Sequence, residues 1–444
     1  MNILLLAMPD IVHTYPDSVI TTPNLGLSSI AGNLDKRHRV TIADLVVKRK
    51  NVKEAVLEAL NKTQPDMVGL SAMTFQYHTA LRIARLIKEL FPHIKIALGG
   101  YHATLMHKEI TDSKDAEFFD YIFRGEAETG FNEALNKLEE GDDLEGVHGL
   151  SFKKNGKFIH NKKRELENLD KIKPPDRSVR LWNKCNIFSV PFDCVESSRG
   201  CLNSCNFCNM RMMYGKTFRT YEISRVIKDI ENAKNSGTRL MFFTDDNITL
   251  DVPRYEALCD EIVRHGLNDI VYAVQASSAG IASSESLAPK MARAGFRIVF
   301  LGMENTSKKN LQELQKGDIV DKSRRAVKLL HADNILVAAG LIVGNPDDDY
   351  ESIKETIKFA GDLKDDFDGS QFLVPYPKTV IRKKLLAGNL ITNTDDFSRY
   401  NGAYANTKTK HLSDKELEFI KFTLTNKYLR RTEAGAVKAL IKHK

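Results

Sequence analysis

The feature that most narrows the fold is an alternation of short apolar runs with stretches of helical spacing, repeated in two blocks along 444 residues. In the first block, up to about residue 140, "NILLLAM" is the continuous apolar run of a strand buried on both faces. "PNLGLSSIAGNLDKR" follows with helical spacing, and "VTIADLV" (40–46) is a second strand. "VKEAVLEALNKTQ" reads as an amphipathic helix, "PDMVGLSAM" (65–73) as a third strand after a proline stop, and "TALRIARLIKELFP" as another helix. "KIALGG" (95–100) and "YIFRGE" (121–126) complete a series of five strands. Such alternation gives a parallel sheet in a doubly wound α/β domain. Domains of that type bind ligands in the crevice beyond the carboxyl ends of their strands, so the loops there are the ones to read for function.

Residues 147–190 break the pattern. "GLSFKKNGKFIHNKKRE" reads as a polar hairpin centred on Asn155-Gly156, and "LDKIKPPDRS" as a proline-bearing connector. From about residue 191 the alternation resumes with "FDCVESS", "LMFFTDD", "IVYAVQASS", "FRIVFLGMEN", "ILVAAGLIVG" and "DGSQFLVPYP". Six such units predict a partial (β/α)6 barrel with its functional residues at strand carboxyl ends. The expected organisation is 1–146 as the first domain, 147–190 as hairpin and linker, 191–388 as the partial barrel and 389–444 as a small C-terminal region. That last region ends in a helix starting at Ser413, an N-cap with Glu416 three residues on.

Apolar residues make up 42% and charged residues 28%, ordinary for a soluble globular chain. No apolar run approaches the roughly 18 residues of a membrane span. "MNILLLAMPD" lacks the basic start of a secretory signal, so a cytoplasmic location is expected. Net charge is +7, and the basic stretch "NKYLRRTEAGAVKALIKHK" reads as a solvated helix end. Neither a helix-turn-helix pattern nor a basic patch interleaved with aromatics is present, which argues against nucleic acid as a partner and against a DNA-linked sensor.

Six cysteines are too few and too unevenly spread for a disulfide framework. Three of them, Cys201, Cys205 and Cys208 in "GCLNSCNFCNM", lie on the loop after the first barrel strand. Thiolates are soft ligands suited to zinc or to iron–sulfur clusters. Structural zinc requires a fourth ligand, for which His160 and Cys194 are the only loose candidates. A cubane cluster held by three thiolates instead keeps one iron open for a chelating cofactor.

The spacing CxxxCxxC, with aromatic Phe207 before the last cysteine, resembles the signature of the radical S-adenosylmethionine superfamily. The resemblance implies a [4Fe-4S] cluster on the three cysteines, S-adenosylmethionine chelated to the open iron, and reductive cleavage to a 5′-deoxyadenosyl radical. It also gives roles to other strand ends. Glu304 in "GMEN" (302–305) is expected on the ribose hydroxyls, since a carboxylate can accept from both. Gly344 in "GLIVGNP" (340–346) is expected where backbone meets the adenine. "FFTDDNIT" (242–249) carries two acidic residues that either organise the site or cap the next helix, and for Asp246 the structural role is favoured. Tyr376 is the single catalytic candidate.

The first loop, "MPDIVHTYPDSV", has no GxGxxG, so a dinucleotide is a poor fit. The domain's loops instead resemble the Rossmann-like cobalamin-binding domain that precedes many radical S-adenosylmethionine barrels. The segments concerned are "PNLGLSSIAGNL" (23–34), "VGLSAMT" (68–74), "LGGYHAT" (98–104) and "FRGEAET" (123–129). The resemblance assigns cobalamin to Ser71, Thr74, Phe75, Gln76, Gly99, Gly100, Tyr101, His102, Gly125 and Glu126. The DxHxxG motif that supplies a cobalt-ligating histidine is absent, and His13, His78 and His102 lack its context. The loop 71–76 is then expected beneath the corrin, with cobalt weakly ligated.

Together these parts imply a C-methyltransferase that carries methyl from methylcobalamin to an unactivated sp3 carbon. A protein or peptide side chain is the preferred substrate, in the manner of a glutamine C-methyltransferase, with an external one-electron reductant of the ferredoxin or flavodoxin type. The alternative use of the same parts is oxidation or ring formation, as in anaerobic tetrapyrrole cyclases.

Overall fold

The computed structural model describes residues 1–10, 22–182, 185–187 and 189–429. His13, most of the loop 8–19 and the basic tail beyond Leu429 therefore lie outside the described residues. The chain divides into two compact units, with the main boundary between Cys185 and Asn186.

The first unit alternates as the apolar runs predict: β1 Asn2–Ala7, α1 Leu25–Gly32, β2 Arg39–Asp44, α2 Val52–Thr63, β3 Met67–Ser71, α3 Tyr77–Leu90, β4 Lys95–Gly99, α4 Tyr101–Thr111, β5 Tyr121–Phe123 and α5 Glu128–Glu140. The five strands are parallel in the order β2-β1-β3-β4-β5. Ile3 to Ala7 are all buried because helices cover both faces of β1. On one face Ile3, Leu5, Ala7 and Met67 pack with Leu27 and Ala31 of α1 and with Phe131, Ala134 and Leu135 of α5. Each large side chain buried there contributes on the order of 2 kcal/mol. The strand order reverses between β1 and β3, which puts the ligand crevice at their carboxyl ends.

Residues 147–182 depart from the expected linker. The hairpin β6 Leu150–Lys154 and β7 Lys157–His160 pairs antiparallel with β5 and extends the sheet to seven strands. The proline-bearing stretch then runs back to the opposite side. Asp176 N donates to Ser28 O at 2.8 Å, and Ile42 of β2 exchanges bonds with Val179 O (2.9 Å) and Leu181 N (2.7 Å). Pro174 O approaches so closely that a Cβ on Gly32 would lie 2.1 Å from it.

The second unit begins with β8 Asn186–Ile187 and β9 Val190–Val195, an antiparallel pair. A ribbon of β10 Ser198–Arg199 and β11 Arg219–Thr220 encloses the cysteine loop and α6 Met210–Tyr214. There follow α7 Ile223–Asn235, β12 Leu240–Phe243, α8 Val252–Arg264, β13 Val271–Ser277, α9 Ser278–Ala282, α10 Leu287–Ala294, β14 Phe296–Glu304, α11 Lys308–Glu313, α12 Val320–Ala332, β15 Leu336–Val343, α13 Tyr350–Asp362, β16 Phe367–Asp368, β17 Gln371–Phe372, α14 Val380–Ala387 and α15 Asp414–Tyr428. The strands β9-β12-β13-β14-β15-β16 form one parallel series, with β17 also on β15, giving the predicted partial barrel. A ring cluster of Phe243, Tyr255, Tyr272 and Phe296 packs β12, β13 and β14 against α8, with centroids 5.1–5.7 Å apart. Ser413 caps α15 as expected, its hydroxyl accepting from Glu416 N at 3.3 Å while Glu416 accepts from Ser413 N at 2.8 Å. Among the described residues no helix is long and apolar enough to cross a membrane.

Candidate functional site

In the second unit the cysteine loop leaves the carboxyl end of β9 and is held at three points. At its root, Gly200 has a φ of +90°, and a Cβ there would lie 2.4 Å from Thr217 O. Its N–H donates to Asp246 Oδ2 at 2.8 Å. Asp245, fully buried, accepts from Ser197 N (2.9 Å) and from the Ser197 and Ser198 hydroxyls. Both carboxylates of "TDD" thus organise the loop, while Asn247 and Asp251 cap the following helices. Burial raises both, pushing Asp246 up to about 6.

The second point is Glu196, which joins Arg199 through two bonds of 2.7 and 3.0 Å and accepts from Tyr221 OH at 2.8 Å, clamping the ribbon. At the third, Asn206 sits between Cys205 and Phe207. Its N–H donates to Leu314 O at 3.2 Å, its amide to Glu313 O, and its carbonyl accepts from Ile381 N at 3.2 Å. Phe207 packs against Leu314, Ile342, Leu373, Ile381, Leu385 and Leu390, and so anchors the loop.

The three thiols fall within electrostatic reach of one another, and burial raises each, Cys208 to about 12. Ligation therefore depends on a metal displacing their protons. Among the described residues no three His, Cys, Asp or Glu side chains converge as ligands of a single ion. Three soft thiolates on one loop match the donor set of an iron–sulfur cluster. His160 belongs to β7 of the other unit and bonds Ser151 at 2.9 Å. Cys194 is buried within β9.

Glu304 ends β14 in the left-handed region, φ +61°, where the register with β15 shifts. A non-glycine residue held there is strained, and such strain gathers at functional sites. Its carboxylate meets Lys316 Nζ at 2.8 Å, both side chains largely buried. Gly302 makes room for the pair, since a Cβ there would lie 2.9 Å from Glu304 Oε1 and 3.3 Å from Lys316 Nζ. Burial works against the charge of Lys316, but Glu304 and the Cys205 and Cys201 thiols outweigh it and hold the ammonium above the ordinary lysine range. Lys316 escaped the sequence reading. "LQKGD" has no motif, and only the tertiary fold brings it to Glu304.

Gly344 has φ +84° and donates its N–H to Asp348 Oδ2 at 2.9 Å, in a buried network with Asn345 and Asn310. The strain of that φ, rather than crowding, is what favours glycine: a Cβ there would make only ordinary contact with Leu417 of α15, at 3.4 Å. Tyr376 is half-buried and close enough to Cys208 to feel its charge, with its phenol pushed up to about 12 chiefly by burial.

In the first unit the predicted loops gather at the carboxyl ends of β3, β4 and β5. Gln76 accepts from Met73 N (2.9 Å) and donates to Asp10 O (2.8 Å), so its amide is engaged within the loops. Phe75 is buried. Thr74 Oγ1 is buried with no hydrogen-bond partner among the described residues. Gly100, φ +92°, is obligatory: a Cβ would lie 2.6 Å from Ala72 O. Ser71, Gly99, Tyr101 and Glu126 are half-buried at the strand ends, and the space beside Gly125 is open within 4 Å of a Cβ. The ring of His102 faces inward. It is 1% exposed, stacked on Tyr77 at 4.2 Å, and burial lowers it to about 3, so it is a neutral core residue. An orphaned hydroxyl and close-set glycines at these strand ends fit a ligand held through backbone and hydroxyl contacts.

A family model described as B12 binding domain matches residues 18–135, and one described as Radical SAM superfamily matches 195–360. The chain is 31% identical to an uncharacterised methyltransferase of Pyrococcus horikoshii over 437 residues, 96% of this chain and 93% of that protein. It is 26% identical to the anaerobic magnesium-protoporphyrin IX monomethyl ester cyclase of Rubrivivax gelatinosus, across 78% of this chain and 63% of the cyclase. Among solved structures, the radical S-adenosylmethionine methyltransferase TsrM of Kitasatospora setae, with cobalamin and a [4Fe-4S] cluster bound, superposes with a TM-score of 0.71 at 18% identity, over 89% of this chain and 79% of that one. At that identity the likeness is one of fold.

Proposed function

The chain belongs to the family that joins a B12-binding domain to a radical S-adenosylmethionine domain, and on that premise we propose a cobalamin-dependent methyltransferase acting on an unactivated sp3 carbon. The observation that carries this reading is the clamped loop bearing Cys201, Cys205 and Cys208 at the carboxyl end of the parallel strands, beside a buried, strained Glu304. When bound, the cluster, S-adenosylmethionine and cobalamin supply the electron, the 5′-deoxyadenosyl radical and the methyl group. The chain's own part is positional. Asp246 and Asn206 fix the loop that offers the thiolates. Glu304 presents a carboxylate to the ribose hydroxyls, and the turn at Gly344, braced by Asp348, presents backbone to the adenine. Ser71, Thr74, Gly99, Gly100, Gly125 and Glu126 would cradle the corrin.

The substrate we favour is a protein or peptide side chain, methylated in the manner of a glutamine C-methyltransferase. Residues after Gly388 reach the ends of β15 and β17: Gly402 O accepts from Phe372 N at 2.9 Å, and on the loop after β15 Lys410 bonds Pro346 O (2.9 Å) and Asp347 (2.6 Å). A soluble reductant of the ferredoxin or flavodoxin type is expected to deliver the electron.

Anaerobic reconstitution, followed by mass spectrometry of candidate peptides, tests the reading. The expected product has gained one CH2. Loss of hydrogens without added carbon would favour the oxidase or cyclase reading, which the tetrapyrrole cyclase relative motivates. A Cys201→Ala/Cys205→Ala/Cys208→Ala chain that still bound four irons would sink the cluster assignment.

A further inference from the structure

Lys316 is held as firmly as the cysteines themselves. The turn carrying it, with Gln315 at φ +56° and Gly317 at φ +72°, closes α11 through Lys316 N to Leu311 O at 2.9 Å. The two residues before that turn, Glu313 and Leu314, are the ones that accept from Asn206. A single residue inside the cysteine loop therefore fixes both the thiols and the base of the turn that carries the ammonium. The side chain runs inward, 15% exposed, to Glu304 Oε1 at 2.8 Å. It lies where its charge acts on Cys205 and Cys201, and at Cys205 it outweighs the opposing charge of Glu304.

A buried ion pair is costly to form, and a neutral pair of similar shape often serves stability as well. Its presence here calls for a reason in the chemistry. We propose that Lys316 is a positioning residue whose fixed positive charge sets the reduction potential of the cluster on Cys201, Cys205 and Cys208, with Glu304 as the opposing charge that trims it. This rests on the cluster reading above. Reduction adds one negative charge to the cluster, and a nearby buried cation stabilises that charge in a medium that screens it poorly. The potential therefore rises with Lys316 present and falls with Glu304 charged. Glu304 occupies the position assigned to the ribose, so a ligand that engages its carboxylate alters the same balance. Binding and reducibility are then linked through one ion pair.

The test is an EPR-monitored redox titration of the anaerobically reconstituted full chain without S-adenosylmethionine. Five forms are compared: wild type, Lys316→Arg, Glu304→Gln, Lys316→Met, and the double variant Lys316→Met/Glu304→Gln. The double variant leaves no unpaired buried charge, so it keeps the question open to measurement if Lys316→Met misfolds. The expected order of midpoints, from highest, is Glu304→Gln, wild type with Lys316→Arg, the double variant, then Lys316→Met. A double variant with four irons and an unshifted midpoint would overturn the proposal while leaving the cluster reading intact. A wild-type chain that takes up no iron would overturn the cluster reading instead, and this one with it.

Discussion

Gly200 shows how much the site depends on a residue without a side chain. Its φ of +90°, and the mere 2.4 Å that would separate a Cβ from Thr217 O, leave no room for alanine. Gly200→Ala should cost about 1–3 kcal/mol through strain and displacement of backbone. Iron bound per chain after anaerobic reconstitution should fall, while the first unit's cobalamin uptake, read by absorbance, should not. Unchanged iron content would remove Gly200 from the loop's support. At this scale the sequence was most informative where chemistry is local. Three thiols within eight residues stand out whatever surrounds them, and the position of Glu304 at the end of a strand was legible from the apolar run before it. Lys316 and Asn206 were not, because their roles arise from contacts across about a hundred residues of chain, as between Asn206 and Glu313. The direction of the His102 side chain was not legible for a related reason. Adjacent glycines mark a crevice, but not which way the next side chain turns, and here it stacks inward on Tyr77.

At the level of elements, apolar runs located every long strand, since each is buried enough to need them. The joint of α13 and β16 holds a feature no pattern reveals. Asp365 is buried and accepts from Ala339 N at 2.9 Å through Oδ1. Its Oδ2 has no partner among the described residues, and burial pushes the carboxyl up to about 8. The unfolded chain sheds this proton near pH 4 and the folded chain keeps it until about pH 8. Between those values folding takes up a proton, so the group's contribution to stability falls as pH rises and is most unfavourable above about 8. Asp365→Asn keeps the acceptor and cannot ionise. Its thermal midpoint should match wild type near pH 4 and exceed it at pH 8, a difference worth up to a few kcal/mol. Parallel melting curves across that range would refute the assignment. The hairpin β6–β7 was legible as a hairpin from Asn155-Gly156, yet its pairing with β5 was not. Edge pairing is made by backbone groups that every residue carries, so a polar sequence leaves no trace of its partner.

At the scale of the whole molecule, two sheets in two units carry two separate sets of strand-end loops. The cysteine triple variant should therefore lose iron and still take up cobalamin. In that bound form, continuous-wave EPR of cob(II)alamin should show no nitrogen superhyperfine splitting, because His102 is 1% exposed in the core and the remaining first-unit histidines lack the ligand motif. Splitting that disappears in a His13→Ala, His78→Ala or His102→Ala chain would identify a ligand and reverse the weak-ligation argument. The stretch 147–182 bears on how the protein behaves in a crowded solution. By laying a short, lysine-bearing hairpin beside β5 and a single bridged segment beside β2, it moves the apolar strands of the first sheet away from its lateral ends. Bare strand ends invite docking by a neighbouring chain, whereas short, charged ones discourage it. A chain deleted for 150–160 should thus scatter light as growing aggregates at concentrations where the full chain stays clear, its colloidal stability having been carried by a short polar ribbon at the edge of the sheet.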